Sequence, residues 1–211
     1  MPTRVWLLRH AESAVPNVFH GAESDVGLSD RGTRQVQALA KVLAGYGADG
    51  VISSGMRRAL LTAGPIAEAC AVPLRVEPEL HERRVGILQG VPTKPPHPLW
   101  VETTQHWQAG DTAFATAGAE SFADIRARVL PVWRRLTADF ADRSLLVVAH
   151  GVVIQVLLLS VLSGHSPADW QRLGSMRNLG ITELVGDADG DGWRALRLNE
   201  VPAEVAEIGN G

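Results

Sequence analysis

Val5-Trp6-Leu7-Leu8-Arg9-His10 and Leu145-Leu146-Val147-Val148-Ala149-His150-Gly151 decide the reading of this chain. Each is a short unbroken apolar run that ends in a histidine. Such runs read as strands buried on both faces, which is the habit of a parallel sheet covered by helices on either side. A third run, Gly50-Val51-Ile52-Ser53, has the same character, and Leu74-Arg75-Val76, closed by Pro78, reads as a fourth strand.

Helical patterns alternate with these strands. Ser29-Asp30 starts a predicted helix over about 31–44, with Val36, Leu39, Ala40 and Leu43 on one face and Gly45 and Gly47 ending it. Met56 to Cys70 and Ala119 to Phe140 read as two further helices, the latter interrupted by Pro131. An apolar helix over 152–162 follows His150. Thr182 to Val185 and Trp193 to Leu198 read as closing strands around an Asp187–Gly192 turn, and the tail from Val201 is expected to fray. The alternation predicts an α/β fold, a three-layer α/β/α sandwich with a mostly parallel central sheet, in a single domain over 1–211. The stretch from Val85 to Gly118 breaks the periodicity. It is predicted to leave the core as a small cap over about 91–118, with a short helix near 98–107 that carries Trp100 and Trp107.

Composition narrows the function. The 211 residues are 45% hydrophobic and 20% charged, with 20 Lys and Arg against 23 Asp and Glu. A net charge of −3 gives no broad basic field for nucleic acid or an anionic membrane. Cys70 is the only cysteine, so no internal disulfide forms, and it is read as a buried filler. The opening residues lack a signal-peptide shape and the apolar run 152–162 is too short to span a bilayer. The expectation is a cytoplasmic protein, monomer or homodimer, with a small-molecule substrate.

Chemistry gathers at the strand ends, where open parallel sheets place their functional groups. There the chain sets Arg9-His10, Ser54-Gly55-Met56-Arg57-Arg58, Leu80-His81-Glu82-Arg83 and His150-Gly151. Two imidazoles, several guanidiniums and one carboxylate share one edge.

These segments resemble a known family. Leu8-Arg9-His10-Ala11-Glu12 is similar to the R-H-G-E signature of the histidine phosphatase superfamily, the phosphoglycerate mutase-like proteins. Asp25 to Gly32 with Gln35, Ser54 to Ala63, Leu80 to Gly90, Val147 to Gly151 and Asn178 to Thr182 resemble its further motifs, in its order. The resemblance implies that His10 takes the phosphoryl group, that Arg9, Arg58 and His150 surround the phosphate, and that Glu82 is the proton donor. It implies no cofactor and no metal. Asn17, His20, Gly21 and Gly151 are carried over as substrate-binding positions. Asn178 is read as a turn residue, and Arg57 as solvated.

The chain departs from the family pattern at Ala11, at Gly55-Met56 and at Val85, where mutases usually have Tyr. Its excursion offers Lys94 as the one cation beyond histidines, together with Trp100 and Trp107. Those rings suit a flat or apolar part of a substrate, or pack the cap. Hydrolysis of a phosphomonoester is therefore the favoured reading. Two alternatives stand beside it: cofactor-dependent mutase-type phosphoryl transfer, and a non-catalytic protein that binds a phosphorylated ligand.

Overall fold

A computed structural model describes residues 2–186 and 192–208. The sheet has six strands in the order β3-β2-β4-β1-β5-β6. Strands β1 (Thr3–Arg9), β2 (Gly50–Ser53), β3 (Leu74–Val76) and β4 (Ser144–Ala149) run parallel to one another. Strands β5 (Ile181–Gly186) and β6 (Arg194–Glu200) close it antiparallel. The turn expected between them falls on 187–191, outside the described residues.

Alternation along β1 and β4 explains why their sequences show no polar face. Val5, Leu7, Leu145, Val147 and Ala149 point into one core with helices α4 (Phe122–Asp139) and α5 (Gly151–Val161). Trp6, Leu8, Leu146 and Val148 point into the other, beneath α1 (Asp30–Leu43) and α2 (Arg57–Cys70). Both faces are covered, so the central positions, Val5–Leu8 and Leu145–Ala149, are all apolar. The three layers follow from that.

The helix boundaries have local causes. Ser29 caps α1 by accepting the Gly32 N–H at 2.9 Å. Helix α4 starts at Phe122 rather than at 119, because Ser121 and Asp124 form a reciprocal capping box. Helix α3 (Pro98–Gln108) is the short helix of the excursion. Its Trp107 is fully buried, edge-on to Trp100, Phe122 and Trp170, where the short α6 (Trp170–Leu173) begins. The excursion is thus anchored by aromatic packing.

Two expectations are corrected. The tail does not fray at Val201: α7 (Ala203–Ala206) forms, and Val205 is buried in the α1–α2 core. Gln35 Nε2 donates to the Val205 and Ile208 carbonyls, which ties α7 down. Cys70 is half-buried rather than buried, with its thiol 3.5 Å from the Leu43 carbonyl it donates to. Among the described residues, no helix is long and apolar enough to cross a membrane.

Candidate active site

β1 and β4 lie side by side in parallel, with Arg9 opposite Ala149. Their next residues, His10 and His150, therefore emerge together. The His10 N–H continues the ladder to the Ala149 carbonyl at 3.0 Å. The two imidazole rings sit 5.1 Å apart, tilted by 58°. The paired apolar runs place the two histidines directly.

His10 Nδ1 donates to the Ala11 carbonyl at 2.7 Å. That fixes the tautomer and leaves Nε2 unprotonated, an acceptor for Arg58 Nε. Burial, and then the nearby charges of Arg9 and Arg58, hold the His10 pKa well below its ordinary value. The ring is neutral at physiological pH, the state a nitrogen nucleophile needs.

Arg58 is the second residue of α2. Its Nε donates toward His10 Nε2 at 3.3 Å, while Nη1 and Nη2 donate to the Ser24 and Gly21 carbonyls, both at 2.9 Å. Arg57, as expected, points outward; its backbone N–H is capped by Asp25 Oδ1. Gly21 has a left-handed backbone, φ 59°. A Cβ there would come within 2.6 Å of Val85 Cγ2 and 3.1 Å of the Arg83 carbonyl. Glycine is needed at this position to turn its own carbonyl onto Arg58. His20 holds the same loop, with Nε2 donating to the Val15 carbonyl at 2.7 Å and Nδ1 3.3 Å from Ser24 Oγ. Asn17 is exposed in the loop, with φ 62°, and its carbonyl accepts the Thr93 N–H at 2.8 Å. The structure places Asn17, His20 and Gly21 in the loop whose Gly21 and Ser24 carbonyls hold the Arg58 guanidinium.

Arg9 Nη1 donates to the Met176 carbonyl at 2.7 Å, whereas its buried Nε has no hydrogen-bond partner. Gly151 opens α5 with its backbone against that guanidinium; a Cβ would fall 3.4 Å from Arg9 Nε. His150 is buried, with Nε2 2.8 Å from Ser54 Oγ and Nδ1 unpartnered. Ser54 Oγ accepts the Met56 N–H at 3.3 Å, so its own proton is available to Nε2. That favours the Nδ1–H tautomer of His150. Burial, with the His10, Arg58 and Arg9 charges behind it, lowers the His150 pKa well below its usual value.

Glu82 comes from the loop after a short 3-10 turn at Pro78–Leu80. Its Oε1 accepts the Arg83 N–H at 2.9 Å, and Oε2 lies 3.5 Å from the Val152 N–H in the first turn of α5. The first-turn amides of α5 face the same place, where a helix start favours negative charge. Arg9, His10, Arg58, Glu82 and His150 are thereby brought to one strand-end edge. Two buried polar atoms there, Arg9 Nε and His150 Nδ1, are the kind of donors a phosphoryl oxygen satisfies.

Sequence reasoning missed three supports. Asn178, taken as a turn residue, donates from Nδ2 to the His10 carbonyl at 2.8 Å. Its motif match was the signal that could have found it. Ser54 orients His150, and in the sequence only its place in a motif sets it apart. Arg83 is fully buried in the corner formed by the perpendicular indoles of Trp100 and Trp107, 5.2 and 5.4 Å from their ring centres. The two Trp rings pack against each other and Trp170, which is the packing role left open for them. Among the described residues, no group of three or more His, Cys, Asp or Glu side chains is placed to hold a metal ion.

The fold and this edge match a known class. The chain belongs to the histidine phosphatase superfamily, branch 1, whose profile matches residues 5–201. It is 31% identical to glucosyl-3-phosphoglycerate phosphatase of Mycobacterium tuberculosis, over 92% of this chain and 91% of that one. It is 26% identical to a Yersinia pestis protein named as a probable phosphoglycerate mutase, over 86% of this chain and 84% of that one. The solved native structure of mycobacterial glucosyl-3-phosphoglycerate phosphatase superposes with a TM-score of 0.80 at 29% identity, covering 94% of this chain and 99% of that one. A phosphohistidine mechanism fits the family, and the phosphatases among these relatives are consistent with an enzyme that hydrolyses phosphate monoesters.

Proposed function

We propose that the protein hydrolyses a small phosphorylated sugar–glycerate or a related phosphomonoester through a phosphohistidine on His10. The observation that carries this is the state of His10: Nδ1 is tied to the Ala11 carbonyl, and the unprotonated Nε2 faces the Arg58 guanidinium, whose Nε donates to it at 3.3 Å. The name of the mycobacterial relatives supplies the substrate class.

The residues take the following parts. Arg9, Arg58 and His150 Nδ1–H hold the three non-bridging oxygens, on which the phosphoryl charge is spread. His10 Nε2 attacks phosphorus in line, and the bond to the ester oxygen breaks. Glu82 passes its proton to that oxygen, so the alcohol leaves neutral. The Glu82 carboxylate then takes a proton from a water that attacks the phosphohistidine. Inorganic phosphate leaves, His10 is neutral again and Glu82 is reprotonated. The lone cation of the excursion, Lys94, gives little to hold a mutase intermediate in place, which favours water as the acceptor.

The test is release of inorganic phosphate from glucosyl-3-phosphoglycerate and from 3-phosphoglycerate, with isomerisation of the latter followed in parallel. Phosphate release that disappears in His10→Ala supports the reading. Isomerisation without release, or release that survives His10→Ala, contradicts it. We take the protein to be cytoplasmic and its chemistry to need no metal; turnover unchanged in a chelator checks the second point.

A further inference from the structure

We propose that Arg83 is a positioning residue for the reaction: its buried guanidinium, seated in the corner of two perpendicular indoles, holds the Glu82 carboxyl in line with the leaving-group oxygen. This rests on the reading of Glu82 as the proton donor.

Arg83 is an unusual core residue. It is 0% exposed, yet its two terminal nitrogens have no hydrogen-bond partner. Only Nε is paired, donating to the Glu120 carbonyl at 2.7 Å. An apolar side chain of the same volume would fill this space at less cost than a charge. What compensates the charge is specific. The faces of Trp100 and Trp107 lie 5.2 and 5.4 Å from the guanidinium carbon, within cation–π range. Glu82 is the acid that acts on it most strongly, ahead of Glu120 and Glu23. Burial nevertheless pulls the Arg83 pKa down to about 10, which leaves it charged at neutral pH.

The anchored side chain fixes its own backbone, and that backbone holds the proton donor: the Arg83 N–H donates to Glu82 Oε1 at 2.9 Å. Arg128 braces the same loop, donating from Nη1 to the Glu79 carbonyl at 2.5 Å and from Nη2 to the Glu82 carbonyl at 3.4 Å. Helix α3 reaches the proton donor through Arg83. Were Arg83 mere packing, nothing would require charge at this position.

The experiment compares an alkyl phosphate with p-nitrophenyl phosphate, whose leaving group departs without a proton. Arg83→Met is expected to lower kcat on the alkyl ester about 10- to 100-fold, the scale of a misplaced catalytic group. On p-nitrophenyl phosphate, kcat is expected to stay within about threefold, and KM and inhibition by inorganic phosphate within about twofold, because the phosphate ligands are untouched. Arg83→Lys, which keeps a cation over the indoles, is expected to recover most of the alkyl rate. Arg83→Gln makes the same comparison should Arg83→Met fail to fold. Adding Arg83→Met to Glu82→Gln is expected to cost nothing further, since both act through one group. Equal losses on both esters, or no loss on either, would overturn the proposal. Glu82→Gln run alone separates the two ideas. If it treats both esters alike, the proton-donor reading fails; if it discriminates and Arg83→Met does not, only the role of Arg83 fails.

Discussion

Arg58 Nε points at His10 Nε2 from 3.3 Å, so the cation that steadies the phosphoryl group faces the atom that attacks it. The contact requires a neutral ring, since a second N–H on His10 would meet the guanidinium head-on. Two backbone carbonyls, Ser24 and Gly21, fix the rest of the guanidinium. The charge is therefore in place before any substrate arrives, which is how electrostatic stabilisation avoids reorganisation during the reaction.

Arg58→Ala is expected to lower kcat/KM by about 10²–10³-fold on alkyl and aryl phosphates alike. Its charge acts on the phosphoryl oxygens whatever the leaving group. Steady-state kinetics on a matched pair of esters checks this. A loss confined to the alkyl ester would place Arg58 with the proton donor instead.

Glu82→Gln is expected to slow alkyl phosphates by about 10²–10⁴-fold and activated aryl phosphates far less. The carboxyl, held by the Arg83 and Val152 amides, is needed where the leaving alkoxide is a strong base. The ratio of kcat/KM for the two esters is the readout. An unchanged ratio would mean that Glu82 organises the loop without donating a proton.

Stability should fall on the acid side of neutrality, and the sign follows from the two buried imidazoles. In the fold, His10 and His150 have pKa values well below 6.5, so near pH 6 the unfolded chain binds protons that the folded chain refuses. Their contribution is complete above about pH 6.5 and is lost as pH falls from there toward their folded values. Within that window each group contributes a slope of at most about 1.4 kcal/mol per pH unit. Urea unfolding at pH 7, 6 and 5 measures it. His150→Asn should flatten the dependence; a dependence as steep as wild type would assign it to other groups.

Gly21→Ala is expected to cost about 1–3 kcal/mol, for the left-handed backbone it must hold. The added methyl group also meets Val85 and the Arg83 carbonyl. Because Gly21 presents its carbonyl to Arg58, the variant should lose activity on both esters together. Urea midpoints and kcat/KM give the two numbers, and full activity in a destabilised protein would separate the turn from the site.

Much of this architecture was legible in the chain because its causes are local. Strands buried on both faces announce themselves as unbroken apolar runs, and the parallel pairing of β1 with β4 turns two sequence-distant histidines into neighbours. What escaped depends on contacts between remote segments. Asn178 looks like any turn residue until its amide is seen on the His10 carbonyl, 168 positions away. A guanidinium packed against two indoles of α3 has no periodicity to betray it, and an arginine beside a glutamate reads as a solvated pair. Helix α7 is a single turn whose own propensity is weak, and it stands because Val205 is buried and Gln35 holds its carbonyls. The loop residues Asn17 and His20 stand at expected substrate-contact positions, and the hydrogen bonds they make join Asn17 to Thr93 of the excursion and His20 to Ser13, Val15 and Ser24 of its own loop.

The central claim is that phosphate passes through His10, and trapping the covalent intermediate tests it most directly. A rapid quench with a labelled phosphomonoester should leave label on wild-type protein, stable to alkali and lost in acid as a phosphorus–nitrogen bond requires, with peptide mapping placing it on His10. His10→Ala should carry no label and show no turnover, because no other group supplies the attacking nitrogen. Label on another residue, or turnover of His10→Ala at the wild-type rate, would contradict the account.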